Sequence, residues 1–356
     1  MSDLEITALE VYPLREPVSR RAYTVVRLRT RSGLEGFGEC RAASPAEVAR
    51  ARQLVAGRPA TAFEVLRREL APLPAMQSAV NMALLDLVGK FSRAPLFQVL
   101  GGPTRNRVRA LAPLAGSTDA ALAASLERAR AAGFRAVAVP LPPPAARNQG
   151  QAFVLAARRR LEALRTAAAN LDFVLDAGAA LSPGDASVLA AALERFHLLW
   201  FDEPCRLFNL DAVRKISSES VTPLGFGRSL REAAGYQELL RNDAVDILRP
   251  DLAAHGVTQI RRIAAMAETY YMAVAPYHDG GPVATAAALH LAASLPNFFI
   301  QQFPFPEAEE DRRMRGELTG TPVETVRDGY APLPTGPGLG IEVRTEVLEK
   351  YRERAA

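Results

Sequence analysis

The chain has 356 residues, 49% apolar and 23% charged, a globular composition that excludes fibrous and disordered classes and leaves room for a barrel plus a smaller domain. Lys and Arg number 43 against 39 Asp and Glu, a net charge of +4. The arginines are scattered, and the longest basic run, Arg158 to Arg160, reads as a solvated helix face rather than a nucleic-acid site. No apolar run is long enough to span a bilayer, Asp3 and Glu5 stand where a signal peptide needs positive charge, and Cys40 and Cys205 are too few for a disulfide framework, so a cytoplasmic protein without a membrane partner is expected.

Residues 4–14, 22–31 and 35–40 read as a strand meander with a turn at Arg31-Ser32-Gly33. Helical stretches follow at 45–56, 61–70 and 75–90; in the last, Ala79, Ala83, Leu84 and Leu87 share a face. Gly101-Gly102-Pro103 closes this α+β unit, set at residues 1–105. Short apolar strands then alternate with helices, at 108–114, 134–139, 172–176, 198–203, 222–227, 245–250, 272–276 and 298–303. Eight strands at this spacing predict a (β/α) barrel over 106–330. No Gly-x-Gly-x-x-Gly opens a helix after a strand, which argues against a dinucleotide site. Residues 331–356 are expected to return to the first domain, with Gly340-Ile341-Glu342-Val343 as a last strand.

Barrel chemistry sits where the strands end. Asp176, Glu203, Arg228, Asp251 and His278 fall at successive strand ends, separated by 27, 25, 23 and 27 residues, one βα unit each. Five such groups in succession point to one mouth rather than to five unrelated helix caps.

Here the chain resembles the enolase superfamily in its mandelate racemase/muconate lactonizing enzyme branch. The matching stretches run from Gly33–Glu39 and Ser78–Lys90 through Pro95–Gly102, Phe201–Pro204, Pro250-Asp251 and Ala288–Ala292 to Gly336–Gly340. The resemblance implies an α+β capping domain over a modified (β/α)7β TIM-like barrel. It also implies abstraction of a proton next to a carboxylate, with Mg²⁺ stabilising the enediolate. In that frame Asp176 and Glu203 match two of three metal-binding carboxylates.

Four positions depart from the pattern. Arg228 stands where the third carboxylate is implied, and a guanidinium cannot ligate Mg²⁺. Either it sits between Asp176 and Glu203 in place of the ion, or it points away and leaves a weak two-ligand site; no cofactor is the expectation. Ala138 and Pro140 occupy the implied lysine positions, and the three lysines, Lys90, Lys215 and Lys350, fall in helical stretches elsewhere. Gln302 replaces an implied glutamate, and is read with Arg228 as substrate-binding. On the remaining side, His278 oriented by Asp251 is the expected base, with Tyr277 as the rival that would suit a general acid. Neighbouring residues face opposite ways on a strand, so one of the pair enters the mouth. His290 reads as packed, His255 as a helix-start or loop residue, His197 and Trp200 as packing beside strand four, and Cys205 as a small hydrophobe.

The sequence therefore predicts a dehydratase- or isomerase-like enzyme acting on a small carboxylate, a hydroxy acid or sugar acid, through an atypical metal site. The alternative is a non-catalytic carboxylate-binding relative. A homo-oligomer is expected. The loops at 15–23 and 141–150, expected to shape specificity, carry no diagnostic composition.

Overall fold

In the computed structural model, residues 2–143, 150–207 and 210–353 are described; most of the predicted 141–150 loop lies outside them. The chain opens with an antiparallel sheet of β1 (Ile6–Arg15), β2 (Ala22–Thr30) and β3 (Glu35–Cys40), followed by α1 (Pro45–Val55), α2 (Phe63–Glu69), α3 (Pro74–Phe91) and α4 (Leu96–Val99). Helix α1 starts at a capping box, Ser44 with Glu47. Every position of α3 from Ser78 to Leu87 is buried, because this stretch lies between β3 on one side and a barrel helix on the other. An all-round apolar helix is what such a place requires. Its polar residues pair across the domain seam: Ser78 Oγ donates to the Leu252 carbonyl at 2.8 Å, and Asn81 Nδ2 to Thr258 Oγ1 at 3.0 Å.

The second domain alternates β4 (Arg107–Pro113), α5 (Asp119–Ala131), β5 (Ala136–Pro140), α6 (Gln151–Ala167), β6 (Asp172–Asp176), α7 (Pro183–Leu193), β7 (Trp200–Asp202), α8 (Leu210–Glu219), β8 (Leu224–Phe226), α9 (Ala233–Arg241), β9 (Ile247–Leu248), α10 (Leu252–Glu268), β10 (Ala273–Val274), α11 (Pro282–Ser294) and β11 (Gln301–Gln302). The strands run parallel in the order β10-β9-β8-β7-β6-β5-β4-β11. The ring closes where the Val274 amide donates to Asn297 O and the Phe299 amide to Val274 O, both at 2.9 Å. The result is a TIM-like barrel under an α+β cap. Among the described residues, no helix is long and apolar enough to cross a membrane.

Inside the barrel, Leu111, Ala138, Val174, Trp200, Ile247, Ala275 and Ile300 pack as one cluster. Counting two residues further along each strand gives the next inward layer, and that layer contains Asp176, Asp202, Arg249, Tyr277 and Gln302.

The tail is α12 (Glu309–Thr319), β12 (Tyr330–Pro332) and α13 (Thr345–Tyr351). The final strand is β12, antiparallel to β4, not the predicted 340–343. Gly338 and Gly340 both have positive φ, 66° and 65°, and bend the chain there. Leu339 N donates to Asp86 Oδ1 at 2.8 Å, and Glu353 N to Pro13 O at 2.8 Å.

Candidate functional site

Asp176 closes β6 and Arg228 lies just past β8, so barrel elements one strand apart, with β7 between them, aim both at one mouth. The guanidinium meets Asp176 with both ends, Nη1 to Oδ2 at 2.9 Å and Nη2 to Oδ1 at 2.6 Å. This two-point geometry is the strong form of the ion pair. A second carboxylate, Asp202, lies 3.5 Å from Nη1. Burial works against the charge on Arg228, but Asp202 and Asp176 outweigh it and hold its pKa above the ordinary arginine value.

Glu203 follows β7 with φ of +44°, a left-handed backbone that only surrounding structure can hold. One oxygen, Oε1, accepts the amides of Gly227 and Arg228, each at 2.7 Å. Burial, then Asp202, push its carboxyl above the ordinary range despite those amides. Arg228 thus touches both expected metal carboxylates, Asp176 by its side chain and Glu203 by its backbone.

Below it, Arg249 is wholly buried. Its Nε donates to Asp202 Oδ1 at 3.0 Å, Nη1 to Ala275 O at 2.7 Å, and Nη2 to Gln302 Oε1 at 2.7 Å. Trp200 Nε1 also donates to Asp202 Oδ1, at 2.8 Å. Gln302 therefore serves Arg249 rather than standing free for a substrate, as the sequence had suggested.

Tyr277, not His278, stands in the mouth. Its ring centroid is 4.8 Å from the Arg228 guanidinium carbon and 5.7 Å from that of Arg249. Its hydroxyl donates to Asp279 Oδ2 at 3.2 Å. Burial, then Asp279, push the phenol well above its ordinary pKa. His278 faces the other way, its Nε2 2.9 Å from Thr285 Oγ1 and its Nδ1 accepting the Gly280 amide at 3.2 Å. Burial lowers it to about 3. The expected Asp251–His278 dyad is therefore not formed. The reason is strand period: Ala275 and Tyr277 share the inward face, so the odd neighbour turns out.

Asp251 caps α10, accepting the Ala253 amide at 3.0 Å, and its backbone bridges that of Tyr277. Arg41 of the cap lies 3.4 Å from Asp251 Oδ2 and 2.8 Å from Asp279 Oδ1, and Arg231 lies 3.7 Å from Asp251. Burial raises the Asp251 carboxyl above its ordinary value, with Arg41 opposing.

Ala138 and Pro140 sit on β5 without ionisable atoms, and the lysines are remote: Lys90 pairs with Asp86 at 2.7 Å, and Lys350 with Glu317 at 2.6 Å. His255 is buried inside α10, with Nε2 3.0 Å from both Tyr236 Oη and Leu230 O, not in a loop. His290 packs on Phe97, and His197 is exposed in a left-handed turn rather than packed.

These residues do not fit Mg²⁺. Octahedral coordination needs several free oxygens, whereas both Asp176 oxygens hold a guanidinium and one Glu203 oxygen holds two amides. Among the described residues, no group of three or more His, Cys, Asp or Glu could hold a metal ion. Sequence reasoning missed Asp202, Arg249 and Arg41. The first two were within reach by counting in twos from the inward residues; Arg41 had no signal, since only the docked cap brings it over the barrel.

Residues 9–101 match the mandelate racemase/muconate lactonizing enzyme N-terminal domain, and residues 121–347 the enolase C-terminal domain-like family. A D-xylonate dehydratase of Haloferax volcanii is 26% identical over 294 residues, 77% of this chain and 68% of its own length. A D-galactonate dehydratase of Ralstonia nicotianae is 28% identical over 289 residues, 80% and 75% of the two chains. A mandelate racemase/muconate lactonizing enzyme-like protein of Rubrobacter xylanophilus superposes with a TM-score of 0.88 at 26% identity, covering 99% of this chain and 98% of that one.

Proposed function

The chain belongs to the mandelate racemase/muconate lactonizing branch of the enolase superfamily, and from that premise we propose that it binds a small hydroxy-carboxylate of the sugar-acid class and eliminates water from it. The observation that carries this reading is Arg228, a guanidinium pinned by Asp176 over Tyr277 at the mouth. Removing a proton next to a carboxylate builds up negative charge that a preorganised cation must offset. Arg228 is fixed before the substrate arrives, so no reorganisation is required during reaction. The proton on the carbon next to the carboxylate passes to Asp251, whose raised pKa favours accepting it. The hydroxyl on the following carbon leaves as water with the proton of Tyr277, which its raised pKa keeps protonated. The enol left behind rearranges to a 2-keto acid. The sugar-acid class is supported by the dehydratase names of the relatives.

A second reading, binding without turnover, is favoured by one observation: His278 is turned into the protein, and no lysine or histidine takes its place among the described mouth residues. Incubation with D-xylonate, D-galactonate and a panel of hydroxy acids in deuterated water, followed by NMR, separates the two. Dehydration requires loss of water that Asp251→Asn abolishes while calorimetric binding survives. Binding with neither exchange nor water loss establishes the second reading. No binding by any of these acids defeats both.

A further inference from the structure

We propose that the mouth is a metal-free anion site whose positive charge is a pair of guanidiniums, Arg228 and Arg249, coupled through Asp202. The inference rests on the carboxylate-binding reading above and adds to it the second cation and its coupling. Asp176, Arg228, Asp202, Arg249 and Gln302 form one chain of alternating partners across β6, β8, β7, β9 and β11. Its contacts are the paired 2.9 and 2.6 Å bonds, then 3.5 Å, 3.0 Å and 2.7 Å. Glu203 joins it through the Arg228 amide. Three carboxylates against two guanidiniums leave one net negative charge, the same formal balance as three carboxylates around one divalent ion.

Several features show that the arrangement is built rather than incidental. Arg249 is fully buried, and a buried guanidinium persists only where every donor is answered. Asp202, the Ala275 carbonyl and Gln302 answer it, and the rings of Trp200 and Tyr277 lie 5.0 and 5.7 Å from its charge. Gln302 is suited to this role because its amide oxygen accepts from Arg249 without adding another negative charge. Arg249 meets no substrate; it is a positioning residue that holds Asp202 and lets Arg228 keep its charge for the ligand.

Calorimetry with Mg²⁺ alone, and with D-galactonate as the anion probe, tests this on the whole 356-residue chain. Mg²⁺ should produce no saturable heat and no rise in Tm in the wild type; saturable Mg²⁺ binding that Asp176→Asn abolishes overturns the inference. Arg249→Gln should weaken D-galactonate binding about tenfold by exposing the ligand to an uncompensated Asp202, and Arg249→Lys should stay within about threefold. The double variant Arg249→Gln/Asp202→Asn, which keeps both the net charge and a balanced interior, should regain most of the affinity. A merely structural Arg249 would not be rescued by removing a second polar group, so failure of that rescue in a folded double variant overturns the coupling. If wild type binds no D-galactonate, the variants are titrated with whichever acid of the panel above it does bind; if it binds none, the functional reading falls and the Mg²⁺ titration alone decides the metal-free site.

Discussion

Tyr277 and His278 are adjacent, yet their environments are opposite, and a single pair of variants distinguishes their roles. His278→Asn removes contacts to Thr285 and Gly280 inside the protein, and should lower stability by about 1–2 kcal/mol while leaving ligand affinity near wild type. Tyr277→Phe keeps the ring over Arg228 but deletes the proton donor. Turnover should then fall by a factor of roughly 10²–10⁴, the usual range for a lost general acid, with KM little changed. Thermal unfolding and steady-state kinetics on both variants check this. Full activity in Tyr277→Phe together with an inactive but folded His278→Asn would reverse the assignment.

At the scale of elements, the cap reaches the mouth because β3 lies unusually close to α3. A Cβ on Gly38 would fall 1.9 Å from the backbone oxygen of Ala79, and one on Gly36 would fall 2.3 Å from that of Ala83. Backbone cannot yield as a side chain can, so Gly38→Ala must push the strand off the helix. The same strand carries Glu39 one residue before its end, and Glu39 accepts the Gly281 amide and, at 3.2 Å, the Ala284 amide at the start of α11. Arg41 follows it onto Asp279. Displacing β3 therefore loosens the loop that carries Tyr277. Gly38→Ala should cost about 3 kcal/mol or more in urea unfolding and weaken anion binding as well. Lost stability with unchanged affinity would show that the cap does not position that loop.

For the whole molecule, three buried histidines contribute to the response to acid, beside carboxyls such as Asp279 and Glu324 that, against burial, their arginine partners hold below the ordinary range. Burial lowers His278 to about 3, and His255 and His290 to about 4. These folded values lie below the unfolded one near 6.5, so each contribution is present above that pH and is lost as pH falls and the unfolded chain alone takes up the proton. Each histidine contributes a slope of about 1.4 kcal/mol per pH unit between roughly 6.5 and 4. Glu39 acts the other way: burial raises it to about 7, so its contribution is largest in acid and is lost as pH rises through 7. Urea unfolding of wild type and His290→Gln from pH 7 to pH 4.5 isolates one histidine. The wild-type advantage should shrink by about 1.4 kcal/mol for each unit of acidification below pH 6.5. A pH-independent difference would show that His290 charges as readily in the folded protein as in the unfolded one.

The alternation of short apolar strands with helices was enough to specify a barrel, and the one-unit spacing put Asp176, Glu203, Arg228 and Asp251 at successive strand ends; the cap over the barrel came with the family resemblance. Alternation and spacing are local periodicities, written into consecutive residues by the geometry of strand and helix. The same period of two, carried from Ala275 through Pro276, also placed Tyr277 inward and Asp202 and Arg249 in one layer. It went unread because strands of two or three residues hardly declare themselves in a sequence. What only the tertiary structure decided were the long-range partnerships: Arg228 on Asp176 across 52 residues, Arg249 on Gln302 across 53, and Arg41 on Asp279 across 238. Charge pairing depends on distance in space, and that distance is set by closure of the ring and docking of the cap rather than by any neighbour along the chain.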